Sequence, residues 1–269
     1  MGPKAIADVS VQWESRPESP YVTRARQIIE ASKKSDWRSS QYIDFHRRRY
    51  DYLLRLCGQL LAGRREPKVL DIGRSELSRR LGETFGRVDT LGFAVESDHF
   101  AHRPTLPFDN RHHVFDLNGA GQIEEWPEIG QFDLIVMAEV IEHVHTAPEL
   151  VLVMLNSMLA PGGFLVVQTP NAAAVHKRLK LLVGCNPYEL IRAYSANPGH
   201  FREYTKTELM RVGESAGLKT VRHEFSDYFG CEGTRTKRLL APVYRCTFSM
   251  VPFLRRGQTI VYQSQLSAR

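Results

Sequence analysis

Several features that direct an interpretation in other proteins are missing from this sequence. The four cysteines lie far apart, at positions 57, 185, 231 and 246, without the close pair that zinc sites use. This spacing favours a reducing compartment, and we expect a cytoplasmic protein. Residues 1–30 lack the apolar core segment of a signal peptide, and the most apolar helical stretch, Leu150–Leu159, is too short to span a bilayer.

The sequence also lacks a strong charge bias. Lys and Arg number 36 against 30 Asp and Glu, for a net charge of +6 at pH 7. A mildly basic balance is compatible with nucleotides, nucleic acid or an acidic membrane face, and it does not choose among them. The hydrophobic fraction of 42% and the charged fraction of 25% are ordinary for a globular protein.

The most informative stretch of the chain runs from Phe132 to His143. Its apolar run, residues 134–137, is typical of a strand buried on both faces of a parallel sheet. Glu139, Glu142 and His143 follow directly, and a helical continuation would place them on one side. We therefore expect this stretch to end at the carboxyl edge of an open α/β sheet, where ligands bind.

Further strands and helices are predicted on either side of this stretch. The other strand candidates are Lys68–Gly73, Val88–Phe93, His113–Leu117, Phe164–Thr169, Leu218–Phe225 and Gln258–Gln263. Ser75 can cap a helix, and two capping boxes are predicted, Thr146 with Glu149 and Thr205 with Glu208. Strands alternating with helices indicate a mostly parallel sheet with helices on both faces.

The predicted organisation is an N-terminal arm and helices over residues 1–64, covering the site, and an α/β domain over residues 65–269. A weakly patterned stretch, residues 171–199, contains two turn signals and is interpreted as an inserted lid after the fifth strand. Leu239–Phe253 is apolar and basic by turns. It fits either a helix packed on the sheet or a surface in peripheral contact with a membrane.

Three motifs carry a resemblance to a known family. They are Val-Leu-Asp-Ile-Gly at 69–73, Phe-Asp-Leu-Ile-Val at 132–136 and Pro-Gly-Gly before the fifth strand. Over residues 65–225 the chain resembles a class I S-adenosylmethionine-dependent methyltransferase. It is most similar to the group with Glu-Val-Ile-Glu-His-Val after strand four, which includes small-molecule, quinone and glycan O-methyltransferases. The resemblance implies a Rossmann-like sheet of seven strands.

S-adenosylmethionine is the cofactor that this resemblance implies. In such enzymes the first acidic residue, here Asp71, contacts the cofactor amine, and a carboxylate after strand two accepts from the ribose hydroxyls. The cofactor-binding residues that the resemblance implies are Asp71, Gly73, Ser75, Glu96, Asp116, Leu117, Ala138 and Glu139.

The chain departs from the family pattern at two points. Of the glycines in Asp-x-Gly-x-Gly-x-Gly only Gly73 is present, with Ser75 and Leu77 at the next two glycine positions. The acidic position after strand two falls on Ala94, which leaves Glu96 as the ribose candidate. These departures motivate an alternative function, a binding or scaffold protein of methyltransferase fold that has lost catalysis. A nicotinamide dehydrogenase is disfavoured, because no Gly-x-Gly-x-x-Gly follows strand one.

His143 and His200 are the candidate catalytic bases. Methyl transfer is an in-line displacement, and a hydroxyl acceptor must also lose a proton, for which histidine is the usual base near neutral pH. Both histidines belong to segments expected beside the acceptor, which we predict to be a small molecule or glycan. The alternative is that they only hydrogen-bond the lid to the sheet edge.

A metal site is a further alternative. Glu139, Glu142, His143 and His200 resemble, residue for residue, the set that holds a divalent metal in small-RNA terminal 2′-O-methyltransferases. Two carboxylates and two imidazoles suit manganese, cobalt or zinc better than magnesium. The same residues occur in relatives without metal, and the sequence shows no added RNA-binding module, so nucleic acid is not the expected partner.

Overall fold

The computed structural model describes residues 39–94, 110–193, 198–227 and 251–265, with side chains from residue 46 onward. These residues form a seven-stranded sheet of order β3-β2-β1-β4-β5-β7-β6. Strands β1 to β5 are parallel, and β7 runs antiparallel to both β5 and β6. The predicted Rossmann-like sheet is confirmed. The strands are β1 Val69–Ile72, β2 Val88–Gly92, β3 His112–Val114, β4 Phe132–Ala138, β5 Leu159–Pro170, β6 Leu218–Ser226 and β7 Gly257–Ser264.

Helices cover both faces of this sheet. Along β4, Leu134 and Val136 pack into a core with Tyr50 and Leu81, while Ile135 and Met137 pack into a second core. Side chains alternate between the faces of a strand, so β4 is buried on both sides, as its apolar run predicted. Among the described residues, no helix is long and apolar enough to cross a bilayer. The helices are α1 Ser39–Leu60, α2 Glu76–Phe85, α3 Pro148–Ser157, α4 Val175–Leu182 and α5 Lys206–Ser215.

Strand β3 is shorter than predicted. The prediction extended it to Leu117, but the strand ends at Val114 and Leu117 begins a 3-10 helix. The Asp116 carboxylate caps this helix by accepting from the Asn118 backbone N–H at 2.9 Å. Aspartate side chains offer the backbone such local hydrogen bonds in place of a sheet ladder, which is why the strand pattern failed here.

The helix starts were predicted correctly at Ser75 and Thr205 and wrongly at Thr146. Thr205 and Glu208 form the reciprocal capping box at the start of α5. Helix α3 instead begins at Pro148, with no side-chain hydrogen bond at its N-cap, Ala147. The Thr146 backbone N–H donates to Asn118 Oδ1 at 3.4 Å. A distant side chain therefore holds this loop, and proline supplies the φ angle of the first turn.

The predicted lid contains a helix that its weak pattern did not predict. In α4 the described apolar side chains beyond Val175 face outward, and Leu182 is 82% exposed. Without an apolar stripe the sequence carries no helical period. Residues 239–250, and with them most of the predicted lipid-facing stretch, lie outside the described residues.

Close packing explains one glycine in α5. A Cβ on Gly213 would lie 2.2 Å from a ring carbon of Tyr262. Tyr262 is buried in β7, and its hydroxyl donates to the Leu209 carbonyl at 2.7 Å. The absent side chain thus lets α5 approach the antiparallel part of the sheet.

Candidate active site

The chain turns sharply where β4 ends. Glu139 adopts a φ of +58°, a left-handed conformation that is strained for a residue other than glycine. A short 3-10 helix, Ile141–His143, follows in place of the helical continuation that the sequence analysis considered. Glu139 therefore does not lie at a regular helical offset from Glu142 and His143. Strain of this kind is concentrated at functional sites.

Glu142 is the most deeply buried acidic group at this edge. Its side chain is 0% exposed, and one carboxyl oxygen accepts from the Thr169 hydroxyl at 2.9 Å. Its backbone carbonyl accepts from the Phe201 N–H at 2.8 Å, which ties the His200 segment to this turn. Burial raises the pKa of Glu142 well above its ordinary value, and the nearby charge of Glu139 raises it further.

Glu139 lies beside a cation that the sequence analysis did not assign to the site. Arg49 of α1 is buried, and its guanidinium lies 3.8 Å from a Glu139 carboxyl oxygen. Burial raises the pKa of Glu139, and the charge of Arg49 opposes that rise. Of the two acidic residues, Glu139 therefore lies nearer to a positive charge. Burial favours the protonated form of Glu142 more strongly than that of Glu139.

The two predicted histidines lie side by side. Their rings are 4.8 Å apart between centroids, at 78°. His143 Nδ1 lies 2.9 Å from the Gly199 carbonyl, and His200 Nδ1 lies 3.1 Å from a Glu203 carboxyl oxygen. Because both partners are acceptors, we assign the proton to Nδ1 and the lone pair to Nε2 in each ring.

The surroundings of both imidazoles favour the neutral form. Burial lowers the pKa of His143, and it lowers the pKa of His200 to about 4, with the positive neighbours of His200 adding to the effect. A neutral ring with its lone pair on Nε2 can accept a proton or bind a metal.

Three of the four predicted metal ligands come together. Glu142, His143 and His200 each offer a ligand atom, and these atoms lie within 4.8 Å of one another. Glu139 is outside this group and faces Arg49 instead. A carbonyl or carboxylate that accepts from Nδ1 is also the usual partner that orients a metal-binding histidine, so the three residues fit a divalent metal.

A buried lysine and glutamate complete the acceptor side, and both escaped the sequence-based assignment of the site. Lys177 of α4 is 5% exposed and forms an ion pair with Glu203. Its ammonium also donates to the Asn171 carbonyl at 3.2 Å. The sequence placed Lys177 only among the basic residues of the insert that suit a polar or anionic acceptor, because α4 was not predicted. For Glu203, the available signal was its position three residues after His200.

Asp71 marks the cofactor side of the edge, at the end of β1. Its carboxylate is buried and accepts from the Ser78 hydroxyl at 2.6 Å. Burial raises the pKa of Asp71 to about 7, against the opposing effects of Ser78 and Arg49. Gly73 follows with a φ of +93°, which a side chain would strain.

The remaining cofactor candidates occupy neighbouring strand ends. Ser75 caps α2, and Leu77, which replaces a family glycine, lies buried within that helix. Asp116 is exposed, and Leu117 beside it is buried. Ala138 ends β4, next to β1 in the sheet. These positions share the carboxyl edge of β3, β1 and β4, and Glu96 lies outside the described residues.

Comparison with known proteins identifies the family. The sequence model described as "Methyltransferase domain" matches residues 45–223. The chain belongs to this methyltransferase family, and the resemblance to class I S-adenosylmethionine-dependent methyltransferases is confirmed. No curated protein sequence matches the chain significantly.

Solved structures share the fold at low sequence identity. N-methyltransferase NodS from Bradyrhizobium japonicum, in complex with S-adenosylhomocysteine, is 18% identical over 90% of this chain and 99% of that chain, with a TM-score of 0.51. A methyltransferase in complex with the Haloferax volcanii Trm112 activator is 15% identical over 91% and 99%, with a TM-score of 0.56. The [4+2]-cyclase SpnF is 11% identical over 81% of each chain, with a TM-score of 0.54. The fold therefore accommodates more than one chemistry.

Proposed function

We propose that this protein transfers the methyl group of S-adenosylmethionine to a hydroxyl oxygen of a small molecule or glycan. The observation that carries the proposal is the pair of adjacent histidines, His143 after β4 and His200 before α5, each with an acceptor at Nδ1. A hydroxyl group loses its proton as its oxygen attacks the methyl group. A neutral imidazole with its lone pair on Nε2 is suited to take that proton.

The carboxyl ends of β1 and β4 fit S-adenosylmethionine, which supplies an electrophilic methyl group when bound. Asp71 and Ala138 end adjacent parallel strands, where α/β sheets bind ligands. The positive φ of Gly73 lets the loop backbone turn without a side chain between it and a ligand. We assign Asp71, Gly73, Ser75, Asp116, Leu117, Ala138 and Glu139 to this role, as the resemblance implies.

The residues of the acceptor side would place the hydroxyl group and receive its proton. His143 and His200 are the proposed bases, because burial lowers the pKa of each ring and so favours the unprotonated form that can accept a proton. Glu142, held by Thr169, would shape the pocket beside them. Most of the rate enhancement would come from alignment of the acceptor oxygen with the methyl group, since in-line displacement depends mainly on positioning.

Calorimetric titration with S-adenosylmethionine and S-adenosylhomocysteine tests the cofactor assignment. We expect micromolar binding, weakened at least about tenfold by Asp71→Ala through loss of the carboxylate beside the glycine loop. Asp133→Ala is the matched control, because Asp133 lies at the opposite end of β4 and pairs with Arg64. Circular dichroism verifies that each variant is folded. Folded protein that binds neither ligand would favour the scaffold alternative.

A second candidate is metal-dependent methylation of an RNA 2′-hydroxyl. The grouping of Glu142, His143 and His200 within 4.8 Å favours it. A manganese, cobalt or zinc ion held there would polarise the acceptor hydroxyl group. This candidate requires that chelation abolish transfer, that manganese restore it, and that His200→Ala lose both metal affinity and activity. Transfer that persists in chelator would rule it out.

A further inference from the structure

Three side chains form a continuous path from the lid to His200. Lys177 of α4 pairs with one carboxyl oxygen of Glu203, and the other carboxyl oxygen lies 3.1 Å from His200 Nδ1. The Lys177 and Glu203 side chains are 6% and 8% exposed. Water therefore has little access to compete for these contacts.

We propose that Lys177 is a positioning residue that acts through Glu203 to hold His200 in one tautomer. This inference rests on the function proposed above, in which His200 Nε2 faces the acceptor. A buried carboxylate needs a nearby positive partner, and Lys177 supplies it. Glu203 then remains a pure hydrogen-bond acceptor, which requires the proton on His200 Nδ1 and leaves the lone pair on Nε2.

The location of Lys177 makes this arrangement depend on the lid. Besides Glu203, its ammonium contacts the Asn171 carbonyl at 3.2 Å and lies 5.7 Å from the centre of the Tyr188 ring. Both partners belong to the stretch around α4. The His200 tautomer is therefore secured when α4 is docked against the Glu203 segment. A lysine that only braced the lid would leave the His200 ring unaffected.

Nitrogen NMR of protein labelled with 15N-histidine separates these two roles. We expect wild-type His200, assigned with His200→Gln, to show a protonated Nδ1 and an unprotonated Nε2. Lys177→Met should produce a mixture of tautomers, and Lys177→Arg should retain the wild-type pattern, because it keeps the positive charge. Lys180→Met is the matched control, since Lys180 lies on the same helix and is exposed.

Kinetics give a second readout. We expect Lys177→Met to lower kcat by about tenfold to hundredfold, as loss of an orienting partner does, with the dissociation constant for S-adenosylmethionine within about twofold. Lys177→Arg should recover most of the activity. These results would distinguish orientation of the base from loss of cofactor binding.

A wild-type tautomer in folded Lys177→Met protein would overturn the proposal. If that variant does not fold, Lys177→Gln is the replacement test, because it removes the positive charge but keeps a hydrogen-bond donor for Glu203. This variant should also show mixed tautomers, and a single Nδ1-protonated form there would again refute the inference. The NMR measurement of the His200 tautomer does not require an active enzyme. Failure of the proposed function would appear separately, as absence of cofactor binding in the calorimetric titration.

Discussion

The two halves of the carboxyl edge are built in different ways. On the cofactor side Asp71 and Asp116 accept hydrogen bonds from nearby residues, Ser78, seven residues away, and Asn118. On the acceptor side, besides the local pair of His200 and Glu203, the contacts join distant segments. His143 contacts the carbonyl of Gly199, 56 residues away.

The difference matches the separate tasks of the two halves, which are to bind the cofactor and to position the acceptor. A cofactor loop can form from its own turn and helix cap, and it presents mainly backbone to a ligand. The acceptor side collects buried ionisable groups, including Glu142 and Lys177, whose charged forms are costly to remove from water unless they are paired. Clusters of this kind with shifted pKa values are typical of sites that carry out chemistry. The comparison predicts that substitutions on the cofactor side should weaken cofactor binding, whereas substitutions on the acceptor side should lower turnover.

The largest expected effect is on turnover, from His143→Gln. The substitution keeps a hydrogen-bond donor for the Gly199 carbonyl but removes one of the two proposed bases. We expect kcat to fall by about a hundredfold or more, while cofactor affinity changes by less than about threefold. Glu214→Gln, on the exposed side of α5, is the control. An equal loss of cofactor binding and turnover would contradict the division into two halves.

The next effect concerns the stability of the cofactor side. Burial raises the pKa of Asp71 from 3.8 to about 7, so the folded state binds its proton more tightly than the unfolded state does. Stability from this group is therefore present below pH 4 and is lost as the pH rises towards 7. Asp71→Asn cannot ionise. It should be more stable than wild type at pH 8, by up to roughly 4 kcal/mol, and the gain should vanish near pH 4.

Urea unfolding of the ligand-free protein at the two pH values measures this difference. Asp133→Asn provides the control, because Asp133 contacts Arg64 near the protein surface. A stability difference between wild type and Asp71→Asn that is the same at pH 4 and pH 8 would show that Asp71 does not titrate between them.

The smallest effect compares the helices that follow the two histidine segments. Thr205 forms a capping box for α5, whereas Thr146 donates only its backbone N–H to Asn118. Thr205→Ala should therefore cost about 1 kcal/mol of unfolding free energy, and Thr146→Ala less than about 0.5 kcal/mol. Thermal unfolding of both variants provides the measurement. Equal losses would mean that the Thr146 side chain also stabilises its loop.

Sequence patterns predicted the parts of this protein that are determined locally. The apolar run before Ala138 identified a strand buried on both faces, and the pair Thr205 and Glu208 identified a helix start. The same capping pattern failed at Thr146, because a side chain 28 residues away holds that loop. A capping signal is only a local preference, and a tertiary contact can override it.

For the site, the sequence by itself determined which residues reach the sheet edge. The apolar run of β4 and the motif around Asp71 place the residues that follow these strands there, since parallel strands end at a common edge. The tertiary structure alone decided that Glu139 faces Arg49 while Glu142 joins the histidines, and that Lys177 is buried against Glu203. Ion pairs between distant segments depend on how a turn and a lid pack, and no residue period encodes that packing.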